Sequence, residues 1–363
     1  MDELNKQREE ISRIDKEMAA LFEARMDAAG KIAEYKMERA LPIKDKAREE
    51  DLINANRSLI ANPDYEGYYA EFLRNMIDIS CRYQEKLMSG MKVAYSGVEG
   101  AFAYIAAKTM FPTSTLVCKN DFNEAYRSAE LGDCDCVVLP IENSYAGEVG
   151  AVLDLAFSGS LHVNQVIELP VRHCLLGTPD STMDGVTTVI SHPQALVQCS
   201  EYISNHGFVT REFGNTALAA KLVKESGDPT LAAIASRETA DIMGLKVLDS
   251  KIQDSGINTT RFAAFSNTSA ERKGAGIEEN FILMFTVKDV AGALAKTLNI
   301  IGAYGYNMKS LRSRPMKDSL WNYYFFMEAE GNINTQNGKD MMKQLSTICP
   351  GLKVLGTYRT ARA

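Results

Sequence analysis

The stretch ELNKQREEISRIDKEMAALFEARMDAAGKIAEYKMER, residues 3–39, carries one unbroken helical pattern in which Leu4, Ile11, Met18 and Ile32 recur on a seven-residue spacing. Arg25 falls on the same stripe, between Met18 and Ile32, where an apolar residue belongs. A guanidinium cannot shed its charge, so setting it against a core is costly unless an anion meets it. The anomaly recurs nearby. Arg48 lies four residues before Leu52, and Ser80 and Gln84 interrupt the stripe of Phe72, Met76 and Leu87. Residues 1–89 therefore predict an all-α helical bundle with a polar, cation-lined hole, suited to a small dianionic ligand. A helix over 3–39 would be roughly 55 Å long at about 1.5 Å per residue. That is too long for a compact unit of this size, so the stripe predicts a homodimer or higher homo-oligomer. Pro42 stops the helix. A second helix is expected from about 45 to 60, Asn62-Pro63-Asp64 breaks it, and a third runs from about 65 to 88.

The rest of the 363-residue chain divides into two further blocks. From residue 92 to 267 short apolar runs alternate with helical patterns. Lys92–Tyr95, Cys136–Ile141, Val186–Ile190 and Leu231–Ala235 read as buried strands, with helices at Phe122–Glu130 and Ala217–Glu225. This predicts a two-lobed α/β domain built on a largely parallel sheet. The polar stretch Asn267–Asn280, with Gly274 and Gly276, reads as a linker. Residues 279–363 read strand, helix, strand, strand, helix, strand: the βαββαβ order of a ferredoxin-like domain, which by itself assigns no function.

Composition narrows the partners. A formal net charge of −7 argues against nucleic acid or an anionic membrane as the main partner. No apolar run approaches the roughly 20 residues of a membrane span, and the first residues lack a signal-like apolar core. Seven cysteines in no framework spacing and only four histidines predict reduced thiols, a cytoplasmic protein and no metal site. The loop Gly97-Val98-Glu99-Gly100-Ala101-Phe102 is not a dinucleotide fingerprint, so no nicotinamide cofactor is expected.

Arg8, Arg25, Lys36, Asp45, Arg48, Glu49, Ser80 and Gln84 match, in order and spacing, the active-site residues of the all-helical chorismate mutases. Singly, each also reads as half of an interhelical ion pair; together, with cations in excess, they point to a ligand. The resemblance implies an intertwined dimer in which Arg8 reaches the partner's site, and rearrangement of chorismate to prephenate without cofactor. On that reading Arg8, Arg25 and Arg48 grip two carboxylates. Lys36 and Gln84 serve the breaking ether oxygen, Glu49 accepts from the ring hydroxyl, and Asp45 and Ser80 support orientation.

In the second block Pro140-Ile141-Glu142-Asn143-Ser144, Arg172-His173-Cys174-Leu175, Ser191-His192-Pro193-Gln194 with Gln198, and Thr260-Arg261-Phe262 resemble the motifs of prephenate dehydratases. Alone, each also reads as a cap, a turn or the start of a strand. The resemblance implies two hinged lobes with the site between them, and loss of CO₂ and water from prephenate to give phenylpyruvate. Thr260 would donate to the departing hydroxyl, polarised by Arg261, with Glu142 as the competing acid; the sequence leaves that choice open. Asn143, Ser144, Ser191, Gln198 and Arg261 are the expected substrate anchors.

In the third block Asp289 through Gly292-Ala293-Leu294-Ala295, and Leu311-Arg312-Ser313-Arg314-Pro315, resemble the two phenylalanine-binding motifs of ACT domains. Gly292, Ala293, Leu294, Ser313 and Arg314 become candidate effector residues. The chain departs from the usual motifs at Ala295, where valine is common, and at Arg312, where glutamate is common. The order of the blocks is similar to the bifunctional chorismate mutase–prephenate dehydratase family with a C-terminal ACT domain. Two other readings remain: a dehydratase whose helical block is a dimerisation arm, and a catalytically decayed amino-acid sensor.

Overall fold

A computed structural model describes residues 3–39, 41–269, 279–316 and 322–362. Gly274, Gly276 and Trp321 of the expected linker and strand lie outside the described residues. The chain folds as two compact units, residues 1–92 and 93–363.

The first unit is three helices: α1 (Glu3–Glu38), α2 (Lys46–Arg57) and α3 (Pro63–Ser89). Asp45 caps α2 by accepting from the Arg48 amide. The expected break between the second and third helices falls before Pro63, which opens α3: Asn62 caps it, and proline suits a first turn that needs no amide donor. Only the C-terminal part of α1 is covered, where Ala29 and Ala33 are buried. Leu4, Ile11, Met18 and Leu21 are 54%, 58%, 44% and 71% exposed. The apolar stripe that runs outward from the bundle is thus left without cover within one chain.

The second unit begins with β1 (Lys92–Ser96), α4 (Phe102–Met110), β2 (Thr115–Lys119), α5 (Phe122–Glu130), β3 (Cys136–Asn143), β4 (Gly147–Glu148), α6 (Gly150–Ser158) and β5 (His162–Pro170). The chain then crosses to a second lobe: β6 (Cys174–Gly177), β7 (Thr188–Ser191), α7 (Pro193–Gln198), α8 (Ser200–His206), β8 (Val209–Glu212), α9 (Thr216–Ser226), β9 (Leu231–Ala235), α10 (Arg237–Met243) and β10 (Lys246–Ser250). It returns as β11 (Thr259–Ser266), which inserts between β5 and β3 and runs antiparallel to both. That return corrects the expected largely parallel sheet. A strand re-entering from the other lobe arrives pointing the opposite way, so the sheet is mixed. The second lobe's sheet, ordered β10-β6-β9-β7-β8, is mixed too.

The third block comprises β12 (Asn280–Thr286), α11 (Ala293–Ala303), β13 (Met308–Pro315), β14 (Tyr323–Glu330), α12 (Gln336–Leu345) and β15 (Leu352–Tyr358), followed by β16 (Thr360–Arg362). Its antiparallel sheet has the order β13-β14-β12-β15. Strand alternation sends Phe281, Leu283 and Phe285 into a core with α11 and α12. Ile282 and Met284 enter the first lobe's core beside Val163 and Val166. Both faces of β12 are therefore buried, and dehydratase-like and ACT-like blocks share one interior. Two further ties reinforce it. β16 pairs with β5, and Lys353 on β15 donates to the Ala156 carbonyl (2.7 Å) and to that of Gly159 at the end of α6. Burial pushes the Lys353 ammonium below its ordinary pKa.

Candidate active sites

In the helical unit, Arg25 donates to the Met76 carbonyl (3.1 Å) and to the Ser80 hydroxyl. Ser80 and Gln84 occupy successive turns of α3 and are 5% and 6% exposed. The Gln84 carbonyl oxygen is buried and has no partner among the described residues. A buried amide left short of a partner marks a position where a ligand group can complete the bonding. Between them, Cys81 lies near Glu49 and Lys36, and Lys36 reaches the Ile43 carbonyl at 2.5 Å. Five expected residues thus converge: Arg25, Lys36, Glu49, Ser80 and Gln84. Three do not join them through side-chain contacts. Asp45 is spent as a cap, Arg48 is exposed on the first turn of α2, and Arg8 stands on the open end of α1, roughly 25 Å along the helix from Arg25.

In the second unit, Thr260 and Asn143 sit directly opposite each other on β11 and β3. Asn143 donates to the Thr260 hydroxyl oxygen (2.9 Å) and to the Asn258 side-chain oxygen (2.8 Å). Its own carbonyl accepts from the Tyr145 and Ala146 amides at 3.0 and 2.8 Å, which shapes the turn that follows β3. A hydroxyl that accepts from an amide keeps its hydrogen free to donate elsewhere. Asn258, two residues before Thr260 in the run Asn258-Thr259-Thr260-Arg261-Phe262, carries no role in the motif reading. Its buried Nδ2 has no partner among the described residues. Ser144 ties the same two strands together, accepting from the Thr259 amide (3.0 Å) and donating to the Ile257 carbonyl (3.1 Å).

Three expectations need correction here. Arg261 follows Thr260 on a strand, so its side chain leaves by the opposite face and cannot polarise the Thr260 hydroxyl. Its guanidinium meets Glu328 on β14 in a two-point pair (2.6 and 2.9 Å), Glu142 at 3.1 Å and the Tyr358 hydroxyl at 3.0 Å. Burial alone would lower its pKa, but Glu328 and then Glu142 drive it upward. Within this chain the Arg261 guanidinium is engaged by ion pairs on the face away from Thr260. Glu142 shares that far face, and its two oxygens accept from Arg261 and Arg312. Both Glu142 oxygens are thus taken up by cations on the face turned away from Thr260. Ser191 is fully buried and gives its hydrogen to the Ile234 carbonyl (2.6 Å), so it braces β7 rather than presenting a donor. Gln198 is 8% exposed and pairs with His173 Nε2 at 2.9 Å. Burial pushes the His173 pKa down, partly offset by Gln198.

On the third block, Gly292 adopts φ 79° ahead of α11, a left-handed conformation that favours glycine. It lines a pocket of about 360 Å³ together with Asp289, Ala293, Leu294, Tyr323 and Phe325. Ser313 is paired opposite Phe325 and so faces the same side of the sheet. Arg314 faces the other side of the sheet, away from the Gly292 pocket. It binds Asp154 (3.0 and 3.3 Å) and Glu148 (3.2 Å). Among the described residues no cluster of His, Cys, Asp and Glu is placed to hold a metal ion, and no helix is long and apolar enough to cross a membrane.

Three family models match in succession: chorismate mutase type II over residues 7–85, prephenate dehydratase over 93–270, and the ACT domain over 281–346. A bifunctional chorismate mutase/prephenate dehydratase of Aquifex aeolicus is 30% identical over 99% of both chains. Among solved structures, prephenate dehydratase from Arthrobacter aurescens in complex with L-Phe aligns with a TM-score of 0.68 and 26% identity, covering 74% of this chain and 90% of that one. A chain described as a novel type of quorum quenching acylase aligns with a TM-score of 0.69 and 29% identity, covering 74% of this chain and 98% of that one.

Proposed function

This chain belongs to the bifunctional chorismate mutase/prephenate dehydratase family, and from that membership we propose that residues 1–89 rearrange chorismate, residues 92–267 convert prephenate to phenylpyruvate, and residues 279–363 sense phenylalanine. The first reaction breaks one C–O bond and forms one C–C bond within a single molecule. The site has only to hold the compact conformer and stabilise charge on the ether oxygen. Arg25 and the partner chain's copy of Arg8, with Arg48, hold the carboxylates; Lys36 and Gln84 serve the ether oxygen, and Glu49 the ring hydroxyl. The uncovered stripe of α1 supports a homodimer in which that partner contribution is made.

In the second reaction, loss of CO₂ leaves an electron pair that expels the ring hydroxyl and makes the ring aromatic. Thr260 donates a hydrogen bond to the departing oxygen, Asn143 holds Thr260, and Gln198 and Ser144 shape the rest of the site. The observation that carries this reading is the Asn143–Thr260 bond, which leaves the threonine hydrogen available. It favours Thr260 over Glu142 as the donor. Phenylalanine, the amino acid that phenylpyruvate leads to, occupies the Gly292 pocket and restrains the dehydratase. Seven cysteines in no framework spacing support a cytoplasmic setting. The test is Thr260→Val, which deletes the hydroxyl at nearly constant shape. Dehydratase turnover is expected to fall about 10²- to 10³-fold, with mutase turnover unchanged. Undiminished phenylpyruvate formation would remove Thr260 from the mechanism.

A further inference from the structure

Glu142 and Glu148 face each other across the short β3–β4 hairpin. Two like charges directly opposed on paired strands push the strands apart. Between them lies the turn that Asn143 organises, and Asn143 is the group that holds Thr260. A single side chain from another block bridges both carboxylates. Arg312 on β13 binds Glu142 through Nη2 and Glu148 through Nε at 3.2 Å. Arg314, two residues on, binds the other oxygen of Glu148 at 3.2 Å, and Arg261 binds the other oxygen of Glu142 at 3.1 Å.

We propose that Arg312 is a positioning residue of the dehydratase site: it clamps the Glu142–Glu148 pair and so keeps the Asn143–Thr260 bond in register. The proposal rests on the assignment of Thr260 as hydrogen-bond donor. Arg312 itself touches neither Thr260 nor the space in front of it. Its influence passes through the hairpin, because Glu142 and Asn143 are consecutive residues of β3. A guanidinium suits the task because its fork can meet two carboxylates at once, whereas an ammonium is a point charge. Position 312 is also where the chain departs from the glutamate usual in related motifs. A glutamate here would bring a third carboxylate to the pair, so the common residue is the damaging one in this chain.

The test uses the full-length chain and four variants: R312A, R312K, R312E and R312A/E148Q. Dehydratase kcat and KM are measured with prephenate, and circular dichroism with thermal melting of each sample reports on folding of the second unit. R312A should lower dehydratase kcat about tenfold, as expected for a slightly displaced donor, while KM moves less than about threefold. R312K should recover part of the loss, and R312E should fall below R312A. In R312A/E148Q the opposed charge is gone, and kcat should rise above that of R312A. That rescue is a readout a general packing role would not give. Wild-type kcat in R312A, or R312E matching or exceeding R312A, would overturn the proposal. Thr260→Val, assayed beside them, separates the two ideas: if it retains full turnover, the donor assignment has failed, whatever the Arg312 series shows.

Discussion

Removing the Glu328 carboxylate should destabilise the second unit more than any other single truncation on that surface. Its side chain is 5% exposed and its partner Arg261 19%, and two charge-assisted bonds of 2.6 and 2.9 Å join them. Breaking a pair this deeply placed strands a guanidinium, at a cost of roughly 3–5 kcal/mol. Glu142 and Tyr358 remain as partial partners for Arg261, so the lower end, about 3 kcal/mol, is the expected value for Glu328→Ala. At about 2–4 °C per kcal/mol, that shifts the unit's melting temperature down by roughly 6–12 °C in scanning calorimetry. The double variant Arg261→Met, Glu328→Leu discriminates the cause. If the loss is that of an orphaned charge, replacing both members by apolar residues should return most of the stability. A Glu328→Ala protein melting within about 2 °C of the parent would refute the reasoning, as would a double variant less stable than the single one.

Arg25→Ala should abolish mutase turnover, by about 10²-fold or more, and leave dehydratase turnover on prephenate intact; a fully active mutase would mean that this half-buried cation does not hold substrate. Gly356→Ala should loosen the seam between blocks, because a Cβ there would overlap the Val163 carbonyl across from β15. A loss of about 1–3 kcal/mol is expected in urea titration, and an unchanged midpoint would argue against that close approach. Stability should also fall in mild acid through His173. Burial holds its folded pKa below the ordinary 6.5, so below that pH the unfolded chain takes a proton that the folded chain refuses. The contribution is fully present above 6.5 and is lost as pH falls through the folded value, at no more than about 1.4 kcal/mol per pH unit. His173→Gln should flatten the dependence between pH 7.5 and 5.5, and an unaltered slope would assign it to other groups.

Much of the fold was legible because periodicity reports burial directly. The seven-residue stripe gave α1 and its missing cover, and Leu231–Ala235 and Phe122–Glu130 emerged with the bounds read from the sequence. The direction of β11 was not legible, since a strand's pattern says nothing about which way it enters a sheet. The shared core was hinted at by the run Phe281–Phe285, in which consecutive residues are apolar, as a strand buried on both faces requires. Motifs set Thr260 beside Arg261 and Ser313 beside Arg314, and the structure sends the members of each pair to opposite faces. The reason is common to both: neighbours in a strand face opposite sides, so a motif read as one string mixes residues of one face with residues that hold another block in place. Applying alternation to Thr260-Arg261 would have separated them. Glu328 carries no local signal, and Arg312 stands out only as a departure from its motif, because the meaning of both comes from partners far away in sequence.

The most direct test supplies the purified chain with chorismate alone and follows prephenate and phenylpyruvate over time, with and without phenylalanine. Prephenate should rise first, phenylpyruvate should follow after a lag, and phenylalanine should slow the second step. Chorismate left untouched, or prephenate accumulating with no phenylpyruvate, would contradict the two-site account.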